Sequence, residues 1–350
     1  GQQQNRGYDT ENYNVPEGAY STNDAKPVTR ITELKTMIQG LHDAGLGVIM
    51  DVVYPHQANQ SLSPFQIMAP NYYFRLSNGS GCGNDTASER EMYSNYIVNS
   101  VLYWVNTYDV DGFRFDQMMQ IDTGTMNKIR EKLSQIDPNI ILYGEGWNGG
   151  TTALPENEKS NQDNIQKIPG VGVFNDIARD AIKGSDVYSQ TDPKTGFVNG
   201  QTGNSVFTDT EAAVANVITG THTSSEDKKI SALTPSQIMN FIEVHDNATL
   251  NDLIWKENPK DDQATHDARV NLANAINLLA QGVPVIETGQ EFDRTKVVDS
   301  NGNGVIDQDE FNAAANSYNT GDTANEINWD LLSAHADMVD FIQSVIAFRK

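Results

Sequence analysis

Hydrophobic positions along the chain alternate between helical spacing and short unbroken apolar runs. From Val28 to Ala44 apolar residues recur every three or four positions, which predicts a helix that Gly45 ends. The next run, residues 47–54, is continuous and rich in β-branched residues, and Pro55 bounds it, as expected of a strand buried on both faces. A helix followed by a buried strand is the repeating unit of a parallel α/β sheet.

Five further runs have the same strand-like composition, and segments with helical spacing separate most of them. The additional predicted strands are 111–118, 140–145, 171–174, 238–244 and 283–287. The additional predicted helices are 89–108, 124–135, 176–183, 265–280 and 334–349. Long loops are predicted at 55–88, 147–170, 186–210 and 290–328. This alternation favours a parallel sheet joined by right-handed crossovers.

The strand count indicates a barrel with part of its wall absent. Six predicted strands are two fewer than the eight that close a (β/α)8 TIM barrel. The chain begins in a loop before a helix that no predicted strand precedes, and it ends inside a predicted helix. We therefore predict an α/β, (β/α)8 TIM-barrel catalytic domain that lacks its first two strands. No repeat or low-complexity linker divides residues 1–350, so we expect one domain.

The segment 111–119, DGFRFDQMM, carries charged residues at the end of a predicted strand. Arg114 and Asp116 are two positions apart, so both side chains point to the same face. Two interpretations are open. The pair closes a barrel end for stability, or Arg114 holds the Asp116 carboxylate ionised so that it acts as a nucleophile.

Other strands also end in acidic residues, at the C-terminal ends where barrel enzymes build their sites. These residues are Asp51 with His56, Glu145 in ILYGEGW, and His245 with Asp246 in NFIEVHDN. Asp116, Glu145 and Asp246 cannot all ionise cheaply if they lie close together. Glu145 lies between two glycines and next to Trp147, whose ring can exclude water. We expect Glu145 to have a raised pKa and to act as an acid.

Two carboxyl groups in different protonation states are what a glycosidase needs. His56 and His245 are candidates to donate hydrogen bonds to sugar hydroxyls, and Tyr8 is a candidate to stack on a sugar ring. Clustered acidic and histidine residues also suit a divalent-metal hydrolase such as a phosphatase. The histidines lie singly, without a two-metal spacing, and lone histidines are often structural.

The strongly negative net charge argues against some classes of binding partner. The chain has 24 Lys and Arg against 47 Asp and Glu, and its formal net charge of -23 argues against nucleic acid or an anionic membrane as partner. No apolar run approaches the ~18 residues that span a bilayer, so we expect no membrane insertion. The single cysteine, Cys82, forms no intrachain disulfide, so cysteine usage leaves the compartment open.

The segment 299–310, DSNGNGVIDQDE, fits an EF-hand calcium loop position by position. The predicted oxygen ligands are Asp299, Asn301, Asn303, the carbonyl of Val305, Asp307 and a bidentate Glu310. Gly304 would supply the sharp turn, and a helix is predicted at 311–316 but none before the loop. We predict a structural Ca²⁺ here; the alternative is an acidic, solvated turn.

Four segments, in this order along the chain, resemble the signature regions of the α-amylase superfamily, glycoside hydrolase family 13. They read DVVYPH (51–56), GFRFD (112–116), YGEGW (143–147) and VHDN (244–247). Three more segments resemble type I pullulanases, which cleave α-1,6 branch points in pullulan and branched starch. They read NYNVPEGAYSTN (12–23), HDNATL (245–250) and QGVPVIETGQEFDRTK (281–296). The resemblance covers nearly the whole chain.

This resemblance implies a retaining debranching hydrolase that cleaves α-1,6-glucosidic bonds by double displacement. It implies that Asp116 is the nucleophile, Glu145 the general acid/base and Asp246 the third carboxylate. The implied substrate-binding residues are Tyr8, Asp51, His56, Arg114, Trp147 and His245. A retaining reaction also implies that the carboxyl groups of Asp116 and Glu145 lie about 5–5.5 Å apart.

Alternatives within the superfamily are an isoamylase, an α-1,4-acting amylase or neopullulanase, and a glucan branching enzyme. Outside enzymes, the alternative is a catalytically silent glucan-binding or calcium-binding protein. The implied partners are an α-glucan polysaccharide or oligosaccharide and further domains of the same polypeptide, namely carbohydrate-binding modules and a C-terminal β-sandwich. Because a polymer does not cross a membrane, we expect a bacterial secreted or cell-surface enzyme.

Overall fold

The computed structural model describes residues 4–185, 194–200, 210–221, 223–225, 228–303 and 306–350. The chain divides into two compact units, residues 1–174 with 231–233 and residues 175–230 with 234–350. Each unit is described by itself below. The expectation of one domain over residues 1–350 stays a prediction.

The described part of the first unit combines four helices with four strands. The helices are α1 Pro27–Asp43, α2 Pro64–Met68, α3 Glu91–Tyr108 and α4 Thr123–Ser134. The strands are β1 Ile49–Val52, β2 Gly112–Phe115, β3 Ile141–Gly144 and β4 Gly172–Asn175, whose last residue belongs to the second unit. Short 3-10 helices lie at Gln4–Gly7, Gly18–Tyr20, Met118–Gln120, Glu156–Glu158 and Gln162–Lys167.

Strands β1 to β4 pair in parallel in the order of the chain. In this register Asp51 lies opposite Arg114, and Arg114 lies opposite Tyr143. Every residue of β2 is buried, as the unbroken apolar run around it predicts. Because the strands are parallel, their carboxyl ends lie along one edge, and the predicted α/β class is confirmed.

Helix α1 matches the prediction closely. Pro27 occupies its first turn, where the missing N–H is no loss, and Gly45 follows its end in the left-handed conformation with φ of 79°. Helix α3 buries an apolar stripe against the core at four- and three-residue spacing, made up of Tyr93, Ile97, Val101, Trp104 and Tyr108. The Trp104 indole N–H donates to the Tyr13 carbonyl at 3.1 Å and so ties the N-terminal segment to this helix.

Several predicted bounds in the first unit were wrong. The strand predicted at 111–118 ends at Phe115, because Gln117 adopts a left-handed conformation with φ of 43° and turns the chain into a 3-10 helix. The predicted loop 55–88 contains α2. Ser63 caps this helix by accepting a hydrogen bond from the N–H of Phe65.

The described part of the second unit contains eight helices and short strands. The helices are α5 Asp176–Ile182, α6 Thr210–Thr219, α7 Leu250–Glu257, α8 Gln263–Leu279, α9 Gln308–Ala315, α10 Asp322–Asn325, α11 Asp330–Ala334 and α12 Ala336–Arg349. Two pairs of short strands are antiparallel. Strand β5 Gly184–Ser185 pairs with β6 Lys194–Thr195, and β7 Thr223–Ser225 pairs with β8 Lys228–Lys229. Strands β9 Ile238–Asn240 and β10 Val283–Pro284 pair in parallel. Further 3-10 helices lie at Phe197–Asn199, Pro235–Gln237 and Gln290–Phe292.

In the second unit the sequence predicted where several elements lie more accurately than where they end. The strands predicted at 238–244 and 283–287 are real but stop at Asn240 and Pro284. Helices α6 and α7 were not predicted, and α9 and α10 lie within the predicted loop 290–328. Most of the predicted loop 186–210 lies outside the described residues.

Among the described residues, no single helix has the length and apolar character to cross a membrane. Only the bent pair 322–334 and 336–349, with 90° between its helices, meets those two criteria together.

Candidate active site

Three neighbouring parallel strands bring the predicted acidic residues of the first unit to one edge. Asp51 lies near the end of β1, and Asp116 and Glu145 directly follow β2 and β3. The Asp116 N–H donates to the Val52 carbonyl at 2.9 Å, and the Glu145 N–H donates to the Phe115 carbonyl at 3.0 Å. Each carboxylate therefore starts from a backbone position that the neighbouring strand holds.

One guanidinium contacts all three of these carboxylates. Arg114 Nη1 lies 2.9 Å from Asp51 Oδ1 and 3.0 Å from Asp116 Oδ1, and Nη2 lies 2.9 Å from Glu145 Oε1. Exposed fractions are low for the side chains of Arg114 (9%), Asp116 (13%) and Glu145 (14%), so water screens these contacts weakly. The predicted pairing of Arg114 with Asp116 is present, but Arg114 is shared.

The sharing changes the expected protonation. Burial raises the pKa of Asp116 well above its usual range, the charge of Glu145 raises it further, and Arg114 opposes both. Burial lowers the pKa of Arg114, yet the charges of Glu145 and Asp51 outweigh burial, so this pKa is raised and the guanidinium stays charged. One of the two open interpretations was that Arg114 keeps Asp116 ionised. Arg114 does lower the pKa of Asp116, but burial and the charge of Glu145 outweigh it, because one cation serves three carboxylates.

Glu145 also accepts a hydrogen bond from the main chain. The N–H of Gln117 donates to Glu145 Oε2 at 2.9 Å, and the left-handed conformation of Gln117 aims it there. Both glycines beside Glu145 are needed for close packing. An added Cβ would lie 2.4 Å from the Phe115 carbonyl oxygen at Gly144 and 2.7 Å from Val173 at Gly146. Neighbouring atoms therefore leave no room for a side chain on either side of Glu145.

Aromatic rings flank the guanidinium. Arg114 lies 5.7 Å from the centroid of the Tyr8 ring and 6.0 Å from that of Phe174, both within the range of cation–π contacts. Trp147 stacks on Phe174, with centroids 6.0 Å apart and planes at 24°. The shielding of Glu145 by Trp147 and the sugar contacts of Trp147 stay predictions.

Tyr8 is anchored at this edge by Asp51. Its hydroxyl donates to Asp51 Oδ2 at 2.6 Å. Burial, followed by the charge of Asp51, raises the pKa of Tyr8 far above its usual value, so the phenol stays a hydrogen-bond donor. Asp51 thus links Tyr8 to Arg114.

His56 is buried beside the strand ends. Its carbonyl accepts a hydrogen bond from the Tyr13 hydroxyl at 2.8 Å, and its backbone forms an isolated bridge with Asp85. Burial lowers the pKa of the His56 imidazole, although Asp9 and Asp85 oppose the shift. The ring is therefore neutral near pH 7, with one N–H to donate.

The sequence predicted a loop over residues 55–88, but it did not show that segment 76–85 of this loop lies beside Asp116. Gln117 holds the segment there. The side-chain amide of Gln117 donates to the Ser80 carbonyl at 3.1 Å and lies 3.6 Å from the Cys82 sulfur. At Gly79 an added Cβ would lie 1.7 Å from the Thr151 carbonyl oxygen, so the two backbones meet there. No motif marks these contacts; only the fold brings the loop to the residue after Asp116.

The second unit carries His245 and Asp246 in an irregular segment after β9. His245 Nε2 lies 3.8 Å from Asp246 Oδ1, and the Asp246 side chain is 32% exposed. Asn247, the next residue, is left-handed with φ of 65°. These residues follow the strand by several positions, so backbone contacts within the loop determine their placement.

The predicted calcium loop is curled around its acidic side chains. Asp299 Oδ1 accepts the N–H groups of Gly302 at 2.7 Å and Asn303 at 3.2 Å, and Asn301 contacts Asp307 Oδ2 at 3.0 Å. Glu310 Oε1 accepts both the N–H and the hydroxyl of Ser300, at 2.7 and 2.9 Å. Val305 and Gly304 lie outside the described residues.

The donor chemistry of this loop fits a hard cation, because carboxylate and amide oxygens predominate. Asp307 and Glu310 form a capping box that begins α9 at Gln308, three residues earlier than the predicted exiting helix. No entering helix was predicted over residues 292–296. Phe292 is the last residue of the 3-10 helix Gln290–Phe292, and residues 293–296 are not helical.

Among the described residues, His266, Asp267 and Asp293 form a group whose ligand atoms lie within 4.8 Å of one another. His266 Nε2 lies 3.2 Å from Asp293 Oδ2, both residues are buried, and the imidazole stacks on Trp255 at 4.2 Å. A buried hydrogen-bonded pair accounts for these contacts, so we assign no metal to this group.

Comparisons with known proteins place this arrangement in context. Residues 65–339 match the family described as alpha amylase, catalytic domain. The pullulanase of Bacillus subtilis (strain 168) is 40% identical over 354 residues, which cover 99% of this chain and 45% of that protein. Pullulanase 1, chloroplastic, of Arabidopsis thaliana is 30% identical over 387 residues, which cover 94% of this chain and 40% of that protein.

A solved structure gives the same result. The pullulanase from Paenibacillus barengoltzii, in complex with maltohexaose and alpha-cyclodextrin, is similar with a TM-score of 0.87 and 42% identity. The similarity covers 100% of this chain and 51% of that chain. This chain therefore spans about half the length of the relatives it matches.

Proposed function

This chain belongs to the family of alpha-amylase catalytic domains, and on that premise we propose that it is the catalytic part of a retaining debranching hydrolase. The bonds cleaved are α-1,6-glucosidic bonds in pullulan, branched starch and limit dextrins. One observation carries the proposal: Arg114 binds both Asp116 and Glu145 at the carboxyl ends of neighbouring parallel strands. Two carboxyls on one guanidinium lie near each other, as a retaining mechanism requires.

The reaction proceeds in two displacements. Glu145 donates its proton to the glycosidic oxygen while Asp116 attacks C1, so the C1–O bond breaks and a glycosyl ester forms. Glu145, now a carboxylate, removes a proton from water, which attacks C1 and releases Asp116. The first step needs a charged Asp116 and a proton on Glu145. The one proton that the raised pKa of Asp116 keeps in the pair must therefore lie on Glu145 when Asp116 attacks.

Residues around the pair prepare this state. Arg114 stabilises negative charge on Asp116 and Glu145 at once. Asp51 binds the same nitrogen of Arg114 as Asp116 does, and Asp51 is itself held by the Tyr8 hydroxyl. The Tyr8 ring supports the sugar from below, and the neutral His56 donates to a sugar hydroxyl. Removing water from the closed site strengthens each of these contacts.

Asp246 is the third carboxylate, which grips the sugar and stabilises the transition state, and His245 and Trp147 contribute further sugar contacts. These three roles are proposed because the residues lie in segments that resemble the signature regions of the family and follow the same order along the chain.

Hydrolysis of pullulan by the whole polypeptide tests the proposal. We expect maltotriose as the main product, with Glu145→Gln inactive and Glu131→Gln, an exposed glutamate on α4, fully active. Linear maltodextrins released from amylose, without cleavage of pullulan, would overturn the α-1,6 specificity. Equal activity of the two variants would overturn the role of Glu145.

We also propose a structural Ca²⁺ in the loop 299–310, held by Asp299, Asn301, Asn303, the Val305 carbonyl, Asp307 and Glu310. The ion supplies a fixed positive charge that holds the loop closed. Two observations support the proposal. The carboxylates of Asp299, Asp307 and Glu310 accept hydrogen bonds from N–H groups within the loop, and Asp307 and Glu310 form the capping box that starts α9.

Calorimetry on chelator-treated protein tests this site. One Ca²⁺ should bind with measurable heat and raise the midpoint of thermal unfolding. Glu310→Gln should abolish this heat, whereas Asp309→Asn, an exposed change in the same turn, should keep it. No heat with the unmodified chain would overturn the proposal.

Further domains of the same polypeptide, including carbohydrate-binding modules and a β-sandwich, complete the proposed enzyme, since this chain spans about half of its relatives. Secretion or display at a bacterial cell surface is proposed because the substrate is a polymer. Fractionation of the source cells tests this placement, and activity confined to the cytosol would contradict it.

A further inference from the structure

The segment 241–249 joins β9 to α7 in the second unit and carries Asp246. It is irregular, and its residue Asn247 adopts a left-handed conformation, with φ of 65°. Such a backbone persists only where surrounding contacts determine it. The direction of the Asp246 carboxylate therefore depends on what holds this loop.

Lys296 holds the loop on both sides of Asp246. Its side chain is buried, with the residue 3% exposed, and its ammonium donates to the carbonyl of His245 at 3.0 Å and to the carbonyl of Asn247. These carbonyl groups belong to the residues immediately before and after Asp246. A buried ammonium that donates to backbone oxygens fixes them more strongly than a neutral donor does.

Lys183 holds the next residue of the loop. It follows α5, is 1% exposed, and its ammonium lies 3.4 Å from the carbonyl oxygen of Ala248. Two lysines from distant parts of the chain thus approach three carbonyl groups within four consecutive residues. Burying two ammonium groups is costly unless they are satisfied, so their placement here needs a compensating role.

Two buried carboxylates, Asp252 and Glu243, bind the backbone next to Lys296 and at the start of α7. Asp252, in the first turn of α7, accepts the N–H of Lys296 at 2.9 Å and the hydroxyl of Thr295 at 2.5 Å. Glu243 accepts the N–H of Leu250 at 2.7 Å. The backbone of Lys296 is therefore bound to the helix that ends the loop, while its ammonium binds the loop itself.

We propose that Lys296 and Lys183 are positioning residues that fix the backbone around Asp246, so that its carboxylate meets the sugar in one orientation. This inference rests on the proposed function. Loss of either ammonium would leave Asp246 chemically intact but let the loop move. Because misplacement of a reactive group by about 1 Å costs on the order of 10²-fold in rate, the effect is expected in turnover.

The first test compares Lys296→Met with Lys296→Arg, Lys183→Met and the exposed control Lys260→Met. With pullulan as substrate, Lys296→Met should lower kcat by about 10- to 100-fold and change KM by less than about threefold. Lys183→Met should have a smaller effect of the same kind, because it contacts one carbonyl. Lys296→Arg should recover part of kcat, and Lys260→Met should match the unmodified enzyme.

Amide hydrogen exchange gives a second readout that does not need activity. In Lys296→Met, exchange should accelerate by about tenfold in peptides from 244–250, while peptides from α8 stay protected. Unchanged kcat and unchanged exchange would overturn the inference, as would acceleration spread evenly over the unit. If the unmodified enzyme did not cleave pullulan, the proposed function would fail, and the exchange data would still decide whether the lysines hold the loop.

Discussion

The two units place their functional carboxylates in different ways. In the first unit Arg114 contacts the side chains of Asp116 and Glu145 directly, and both carboxylates are buried at the ends of strands. In the second unit the buried cations Lys183 and Lys296 contact backbone carbonyls, and the Asp246 side chain is about one-third exposed. A carboxylate directly after a strand needs its charge balanced, whereas one in a loop needs its backbone held.

The two units also differ in which carboxyl group has a raised pKa. In the first unit the pKa of a proposed catalytic residue, Asp116, is raised. In the second unit burial raises the pKa of Glu243 to about 8, with Lys183 and Lys296 opposing the shift and Glu287 reinforcing it. Glu243 accepts a hydrogen bond from Leu250, the first residue of α7, so we expect its titration to affect stability, whereas the titration of Asp116 affects the proposed chemistry.

The largest expected effect comes from removing the proposed nucleophile of the first unit, Asp116. Asp116→Asn should lower kcat on pullulan by about 10⁴-fold or more, because no glycosyl ester forms without the carboxylate. Steady-state rates measure this loss, and Asp24→Asn, an exposed aspartate, is the matched control. A loss below tenfold would show that Asp116 does not attack the sugar.

Arg114→Lys tests the sharing of one cation. Lysine offers its donors on one nitrogen, whereas Arg114 uses two separate nitrogens for Asp116 and Glu145, so the lysine cannot keep this geometry and kcat should fall by about 10²- to 10³-fold. Arg114 lowers the pKa of Asp116, so its weaker replacement should move the acid limb of the pH–rate profile to higher pH. The profile of Arg30→Lys serves as reference, and a limb that moves to lower pH would contradict the assigned charge balance.

Tyr8→Phe removes the hydroxyl that binds Asp51 and keeps the ring. The expected fall in kcat/KM is about tenfold, since one hydrogen bond to a charged group is lost. Kinetics on pullulan measure it, with Tyr20→Phe at an exposed tyrosine as control. If the two variants behave alike, the link from Tyr8 through Asp51 to Arg114 has no role in catalysis.

The smallest effect on activity is expected for Glu243→Gln, whose effect is on stability. A carboxyl with a raised folded-state pKa makes the folded protein less stable as pH rises from the ordinary value, 4.5, to about 8. Glutamine does not ionise. The free energy of unfolding of Glu243→Gln, relative to that of the unmodified protein, should therefore increase across that window by on the order of 1–3 kcal/mol. Denaturant unfolding between pH 5 and pH 8 measures this difference, and a constant difference would exclude Glu243 as the titrating group.

Much of the first unit was predictable from local patterns. Helical spacing placed α1 and α3 to within two residues, and unbroken apolar runs located β1 to β4. The pairing of Arg114 with Asp116 followed from their two-residue spacing on a strand, and the predicted α/β TIM-barrel class agrees with the family. Strand ends were predicted poorly, because a run such as 111–118 does not reveal where Gln117 turns left-handed.

By itself, the sequence determined the class of the fold, the order of the elements and which carboxylates stand at strand ends, because these depend on residues a few positions apart. Only the tertiary structure decided that Arg114 serves three carboxylates and that Lys183 and Lys296 meet at one loop. Lys183 and Ala248 are 65 positions apart, and Lys296 and Asn247 are 49 positions apart. No local pattern encodes contacts between such distant positions, and burial and charge balance arise only when the folded chain brings them together.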